Sequence, residues 1–212
     1  MSHLDEDRRQ LPDLLRAACD EAVRFLDTLD DRPAAHVVPT IEPLGLSDDG
    51  LGAAGALDAL RERYGRWWSG SAGPRYFAFV TGGSTPAALV GDWLTGVYDQ
   101  NGSDAGESGT RQLALDALAM MRDLLGLPAS FGGVFVTGAT TSSTVALATA
   151  RQWVGRERGV DVATDGIGAL GPIDVLSGTA HSSIPKALSV IGLGRAAVRS
   201  VATVDGREAV DP

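Results

Sequence analysis

From Leu124 to Ala150 the chain carries no charged residue, and this run narrows the possible folds more than any other feature. An uncharged stretch of that length could cross a bilayer as one helix. Gly126, Pro128, Gly132, Gly133 and a Thr/Ser cluster break it, so it reads instead as a buried turn, a short strand Val134–Thr137 and the opening of a helix. The neighbouring segments continue the alternation. A helix is expected from about Ser108 to Leu125, and another from about Thr141 to Arg158. A strand follows at Ile173–Leu176, then a helix from about Ser182 to Ile191 and a strand near Val198–Thr203. Helix and strand in this order predict a three-layer α/β domain.

The front of the chain is patterned differently. Leu11, Leu15, Ala18, Ala22, Phe25 and Leu29 recur at helical spacing and predict one long amphipathic helix with Pro12 in its first turn. The stretch from Asp30 to Gly50 holds Pro33, Pro39 and Pro43 and is expected to be extended. Helices are predicted over Leu57–Trp68 and from Pro86 to about Tyr98, with almost no sheet. The apolar stripe of the first helix fits an arm packed on another subunit or on its own chain equally well. We therefore divide the chain into a helical segment, residues 1–104, and an α/β segment, residues 105–212.

With 212 residues, 44% hydrophobic and 21% charged, the chain suits one globular domain or one domain with an appendage. Its net charge of −9 repels nucleic-acid phosphate and anionic lipid, so neither is an expected partner, and no membrane association is expected. The single cysteine, Cys19, can form neither an internal disulfide nor a thiolate metal site, which points to a reducing compartment, by default the cytoplasm. The opening MSHLDEDRRQ lacks the apolar core of a signal peptide.

Three constellations bear on chemistry. Gly166-Ile-Gly168-Ala-Leu-Gly171 matches the dinucleotide pattern GxGxxG, but a polar run precedes it and Pro172 follows, so a plain glycine loop is expected. Thr137-Gly138-Ala139-Thr140-Thr141-Ser142-Ser143 has the better setting, after the expected strand and at the start of a helix. Backbone N–H groups without helical partners, the positive end of the dipole and several hydroxyls could hold a phosphate there; a Ser/Thr-rich cap without a ligand fits equally. His181 stands at the end of an expected strand, on the sheet edge where α/β proteins bind ligands, and is open to a catalytic or a structural role. HExxH, CxxC, GxSxG and P-loop patterns are absent from the sequence, and no metal site is expected.

Four segments, PRYFAFVTGGSTPAALVGDWL, DLLGLPASFGGVFVTGATTSSTVALATAR, GTAHSSIPKALSVIGLG and VDGREAVDP, resemble in order and spacing the group II pyridoxal-phosphate-dependent amino acid decarboxylases, the family of aromatic-amino-acid and glutamate decarboxylases. The resemblance runs from about Gly73 to the last residue. It implies the α/β fold of type I pyridoxal-phosphate-dependent transferases, with a three-layer large domain preceded by an N-terminal helical arm that clasps a partner. It also implies pyridoxal 5'-phosphate as cofactor, an amino acid as substrate and a homodimer. By the same resemblance, Gly138, Ala139 and Thr140 match the turn that binds the cofactor phosphate. His181 matches the histidine stacked on the pyridine ring, with a catalytic part in protonation, and Phe79 and Thr81 match the loop that lines the substrate.

The sequence departs from the family in two ways. Thr141, Ser142 and Ser143 stand where members usually carry a bulkier residue and an Ala-Asn pair. The family's Schiff-base lysine and the aspartate facing the pyridine nitrogen lie in the later half of the large domain; the one lysine here, Lys186, is expected to be an ordinary helix-surface residue. The expectation is thus the front half of a carboxy-lyase, active only with a second polypeptide or missing C-terminal half, as a homodimer of composite subunits. The alternative is a non-catalytic truncated homologue acting as an interaction protein. A small nucleotide-binding protein using the same turn lacks a P-loop lysine.

Overall fold

The computed structural model describes residues 2–46, 48–102 and 108–211. The chain divides into two compact units, residues 1–100 and 101–212. The boundary expected between 104 and 105 falls among residues 103–107, outside the described residues.

The first unit is helical. Helix α1 (His3–Asp27) begins earlier than the apolar stripe alone suggests, because Ser2 caps it. The Ser2 hydroxyl accepts from the Asp5 N–H, and the Asp5 carboxylate accepts from the Ser2 N–H, a reciprocal cap that satisfies two otherwise unpaired donors. Pro12 consequently lies inside the helix rather than in its first turn. After a 3-10 turn at Leu29–Asp31 the described residues form no regular element until α2 (Gly52–Tyr64), in keeping with the three prolines. Arg32 ties this connection down: its guanidinium lies 4.2 Å from the centroid of the Phe25 ring and donates to the Thr28 hydroxyl at 2.9 Å and the Trp68 carbonyl at 3.2 Å. Helix α2 starts well before the expected Leu57 because both carboxylate oxygens of Asp7, on α1, lie 3.0 Å from the Ala53 N–H. Its C-terminal end tightens into a 3-10 turn, Gly65–Trp67. Helix α3 (Pro86–Tyr98) has the expected limits: the Thr85 hydroxyl accepts from the Ala88 N–H, Pro86 fits the first turn, and Asp99 leaves the helix in the left-handed region.

The second unit opens with α4 (Thr110–Leu124) and continues through α5 (Ala139–Glu157), the short α6 (Val162–Asp165), β1 (Val175–Ser177), α7 (Ser183–Val190) and β2 (Val198–Ser200). Strands β1 and β2 pair in parallel, with Val175 opposite Val198 and Ser177 opposite Ser200. One correction concerns Val134–Thr137, which is not a strand. Apolar composition favours a strand, but a strand exists only with a ladder partner, and no described residue supplies one. The GIGALG segment is a 3-10 turn, Ile167–Leu170, between α6 and β1, so no strand precedes it and no dinucleotide turn forms.

A small core holds this unit together. Leu188 is fully buried and clusters with Ile191 and Ala197, against which Leu147, Ala148, Val175 and Val198 pack. Helices α5 and α7 therefore share one face with the two strands. Val162 and Leu170 are buried as well, and Val162 packs against Gly155 of α5. A Cβ on Gly155 would lie 2.7 Å from Val162 Cγ2 and 2.8 Å from the Val160 carbonyl oxygen, which is why that helix position has no side chain. Arg151 on α5 and Arg158, which caps its C-terminal end, donate to the carbonyls of Ile191 and Leu170, closing the ends of the loops around this core. Among the described residues no helix is long and apolar enough to cross a membrane.

Candidate functional site

The loop from β1 to α7 is fixed from the C-terminal side. The Val201 N–H donates to the Ser177 carbonyl at 3.0 Å, and Thr203 bridges Val210 in antiparallel fashion. Gly178 sits against this bridge; a Cβ there would meet Thr203 Cγ2 at 2.8 Å. Held in this way, Gly178-Thr179-Ala180 delivers His181 to the first turn of α7. The His181 Nδ1 accepts from the Ser183 N–H at 3.2 Å and lies 3.0 Å from the Ser183 hydroxyl. A nitrogen that accepts a backbone proton cannot carry one of its own, so the neutral ring has its proton on Nε2. The ring is exposed.

At the start of α5, Gly138 is extended and no side chain caps the helix. The hydroxyls of Ser143 and Thr144 turn back to the carbonyls of Ala139 and Thr140, at 3.1 and 2.9 Å, and so offer nothing to the first turn. The opening N–H groups of α5 consequently face outward at the positive end of a helix running to Glu157.

These two features meet. Thr140, His181, Ser182, Ser183, Pro185, Lys186 and Arg195 line one open cavity of about 410 Å³. Among the described residues no carboxylate lines it. Lys186 thus shares the cavity of Thr140 and His181, where the sequence suggested a plain surface residue, and Arg195 was not singled out at all. Nothing local marks Arg195; it reaches the cavity because β2 pairs with β1, a contact between distant parts of the chain.

Phe79 and Thr81 lie in the first unit, on the loop before α3. The Thr81 hydroxyl and N–H both donate to the Ala78 carbonyl, at 3.2 and 3.4 Å. Phe79 and Val80 both adopt left-handed backbone, with φ of 55° and 58°, although neither is glycine. Both side chains are exposed.

A family model described as the pyridoxal-dependent decarboxylase conserved domain matches residues 67–210. The chain belongs to that family. The pyridoxal-dependent decarboxylase fold also appears in solved structures. Oryza sativa TDC with PLP and tryptamine superposes with a TM-score of 0.75 at 22% identity, over 91% of this chain and 41% of that one. Mouse CSAD in its apo form gives 0.71 at 23%, over 93% and 42%. Catharanthus roseus tryptophan decarboxylase in complex with L-tryptophan gives 0.73 at 19%, over 94% and 43%. At these identities the likeness shows the type I α/β fold, and the chain spans about two fifths of the structures it matches. Pyridoxal phosphate is the cofactor of this family, and the donor set at α5 fits its phosphate: unpaired N–H groups, a hydroxyl and two cations, with no acid opposed to them among the described residues.

Proposed function

We propose that this chain forms part of a pyridoxal-phosphate-dependent amino acid decarboxylase, supplying the cofactor-phosphate turn Gly138-Ala139-Thr140 and the ring-stacking face of His181. The observation that carries the proposal is the shared cavity: an uncapped helix start and an exposed imidazole, far apart in sequence, open onto the same space. When bound, the cofactor supplies an electron sink for the pair left behind as carbon dioxide departs.

The chain's own residues do the rest. The first N–H groups of α5 hold the phosphate, with the Thr140 hydroxyl as a further donor. Ser183 fixes the tautomer of His181, so the ring keeps one orientation and presents a flat face while Nε2 holds a proton at its outer edge. That proton is in a position to be handed on, which is the catalytic part proposed for His181. Phe79 and Thr81 are proposed to line the substrate, and the lysine that binds the cofactor covalently is proposed to come from the part of the fold beyond the matched two fifths, in the same or a second polypeptide. The proposed assembly is a homodimer. Its support is the apolar surface of the first unit, where Leu15 and Val23 of α1 and Val90 and Val97 of α3 are exposed, more than soluble monomers commonly show on neighbouring helices. Light scattering of the chain should give more than the monomer mass; a stable monomer at micromolar concentration overturns the dimer.

The cofactor reading is tested by titrating pyridoxal phosphate against the wild-type chain and His181→Ala, following the cofactor's absorbance. The ring is exposed, so the variant should keep its circular dichroism and denaturation midpoint. Its cofactor affinity should fall by about threefold to tenfold, the worth of one lost stacking face. Unchanged affinity would show that His181 does not face the pyridine ring.

A further inference from the structure

The cavity between the start of α5 and the first turn of α7 contains two positive charges that no described residue balances. Lys186 projects from α7, and Arg195 from the 3-10 turn that precedes β2; both line the cavity. Neither joins an ion pair with a described residue, whereas Arg199, just beyond, pairs with Asp174 at 2.9 Å. Two like charges facing one cleft repel each other unless an anion lies between them.

We propose that Lys186 and Arg195 neutralise and position the phosphate of pyridoxal phosphate at the start of α5, as positioning residues additional to the Gly138-Ala139-Thr140 turn. This rests on the cofactor reading above. Charge matching favours it. A phosphate monoester carries about −1.5 to −2 charges at neutral pH, and a helix start offers the equivalent of about half a positive charge. The turn alone thus leaves roughly one to one and a half negative charges unmatched, which the two side chains more than cover. Their chemistry is complementary as well: the Arg195 fork can give two parallel hydrogen bonds to a pair of phosphate oxygens, while Lys186 acts as a compact charge that can follow the group as it moves. A substrate carboxylate, with one charge, would leave one of the cations unbalanced.

Isothermal titration of the intact chain with pyridoxal phosphate, pyridoxal and inorganic phosphate, each at low and high potassium chloride, tests the inference. Pyridoxal closes on its own 5'-hydroxyl as a hemiacetal and reacts less readily with amines, so the phosphate's share is read from the effect of each substitution on pyridoxal phosphate and on inorganic phosphate. Lys186→Gln and Arg195→Gln should each weaken pyridoxal phosphate and inorganic phosphate by about threefold to tenfold and leave pyridoxal unchanged. The salt dependence of phosphate binding should become shallower in each. Lys186→Arg should restore affinity, which a merely structural role would not predict, and circular dichroism verifies that these exposed substitutions leave the fold intact. Variants that bind both phosphates like the wild type, with the wild-type salt dependence, overturn the inference and leave the phosphate turn standing. A wild-type chain that binds pyridoxal phosphate no better than pyridoxal overturns the cofactor reading, and the inference with it. Variants that weaken inorganic phosphate but not pyridoxal phosphate show a free-anion site, which also overturns it.

Discussion

The two units of the chain differ in what holds them. In residues 101–212, Val162, Leu170, Ala187, Leu188, Ile191 and Ala197 are buried, and α5, α7 and both strands converge on them. In residues 1–100 no described apolar side chain is buried, although α1 and α3 carry as much apolar character as α5 and α7. The first unit is held instead by polar contacts: the reciprocal cap at Ser2, the Asp7 cap on α2, and Arg32 bridging Phe25 to Trp68. The comparison teaches that the segments bearing Thr140 and His181 stand on a buried core within their own unit. The proposed substrate loop stands on a scaffold whose apolar faces remain open.

The sharpest way to break this comparison is a pair of truncations. Leu188→Ala removes a side chain with 0% exposure from the centre of the α5–α7 core and should cost about 2–5 kcal/mol. Leu15→Ala, on a residue 49% exposed, should change stability by less than about 0.5 kcal/mol at protein concentrations low enough to keep the chain monomeric. Urea denaturation of the two variants decides it. Equal losses would mean that Leu15 is covered in solution by something the single chain does not provide. A second, smaller effect sharpens the account of the core: Gly155→Ala puts a methyl group 2.7 Å from Val162 Cγ2 and should cost about 1–3 kcal/mol, despite alanine's better helix propensity. A gain in stability would show that α5 and Val162 can move apart freely.

How much of this was legible in the sequence depends on where each structural cause lies. The limits of α3 were readable because Thr85, Pro86 and the chain between them and Tyr98 contain the whole cause. The start of α2 was not, since its cap is the Asp7 carboxylate, contributed by a different helix. The apolar run Val134–Thr137 suggested a strand for a local reason, but pairing is decided by distant residues. The site divides in the same way. Gly138, Ala139, Thr140 and His181 could be picked out by motif, and the shared cavity brings Thr140 and His181 together. Arg195 follows an unremarkable Gly-Leu-Gly and enters the site only through the pairing of β2 with β1.

The proposed substrate loop allows a smaller test on the open side of the comparison. Val80 is β-branched, fully exposed and held at φ 58°, in a region that costs an ordinary residue about 1–2 kcal/mol. Val80→Gly removes that strain but adds freedom to the unfolded chain, worth about 0.4–1 kcal/mol in the other direction. A net gain of up to about 1.6 kcal/mol is expected, read as a rise in denaturation midpoint. A loss would mean that the loop leaves the left-handed region in solution.

The smallest expected effect separates the carboxylate cap of α6 from the hydroxyl cap of α3 by their response to acid. Asp161 caps α6: its carboxylate accepts from the Thr164 hydroxyl at 2.8 Å and from the Ala163 N–H at 3.1 Å. The Thr164 hydroxyl first, then the Ala163 N–H, hold its carboxyl below the ordinary value of 3.8, against a weaker opposing push from desolvation. A carboxyl with a depressed pKa adds stability that is present above its unfolded-state value and is lost as the pH falls through the lower folded-state value. Hydrogen exchange at the amides of α6 should therefore speed up, relative to the intrinsic rate, as the pH drops below about 4. Asp161→Asn should keep the cap and abolish this pH dependence, because the amide oxygen still accepts but does not titrate in this range; Asp161→Ala should lose both. The Thr85 hydroxyl that caps α3 does not ionise in this range either, so α3 should show no such step through its cap. An α6 whose exchange is flat in acid would show that the Asp161 hydrogen bonds do not persist in solution, and that this turn is held by burial of Val162 alone.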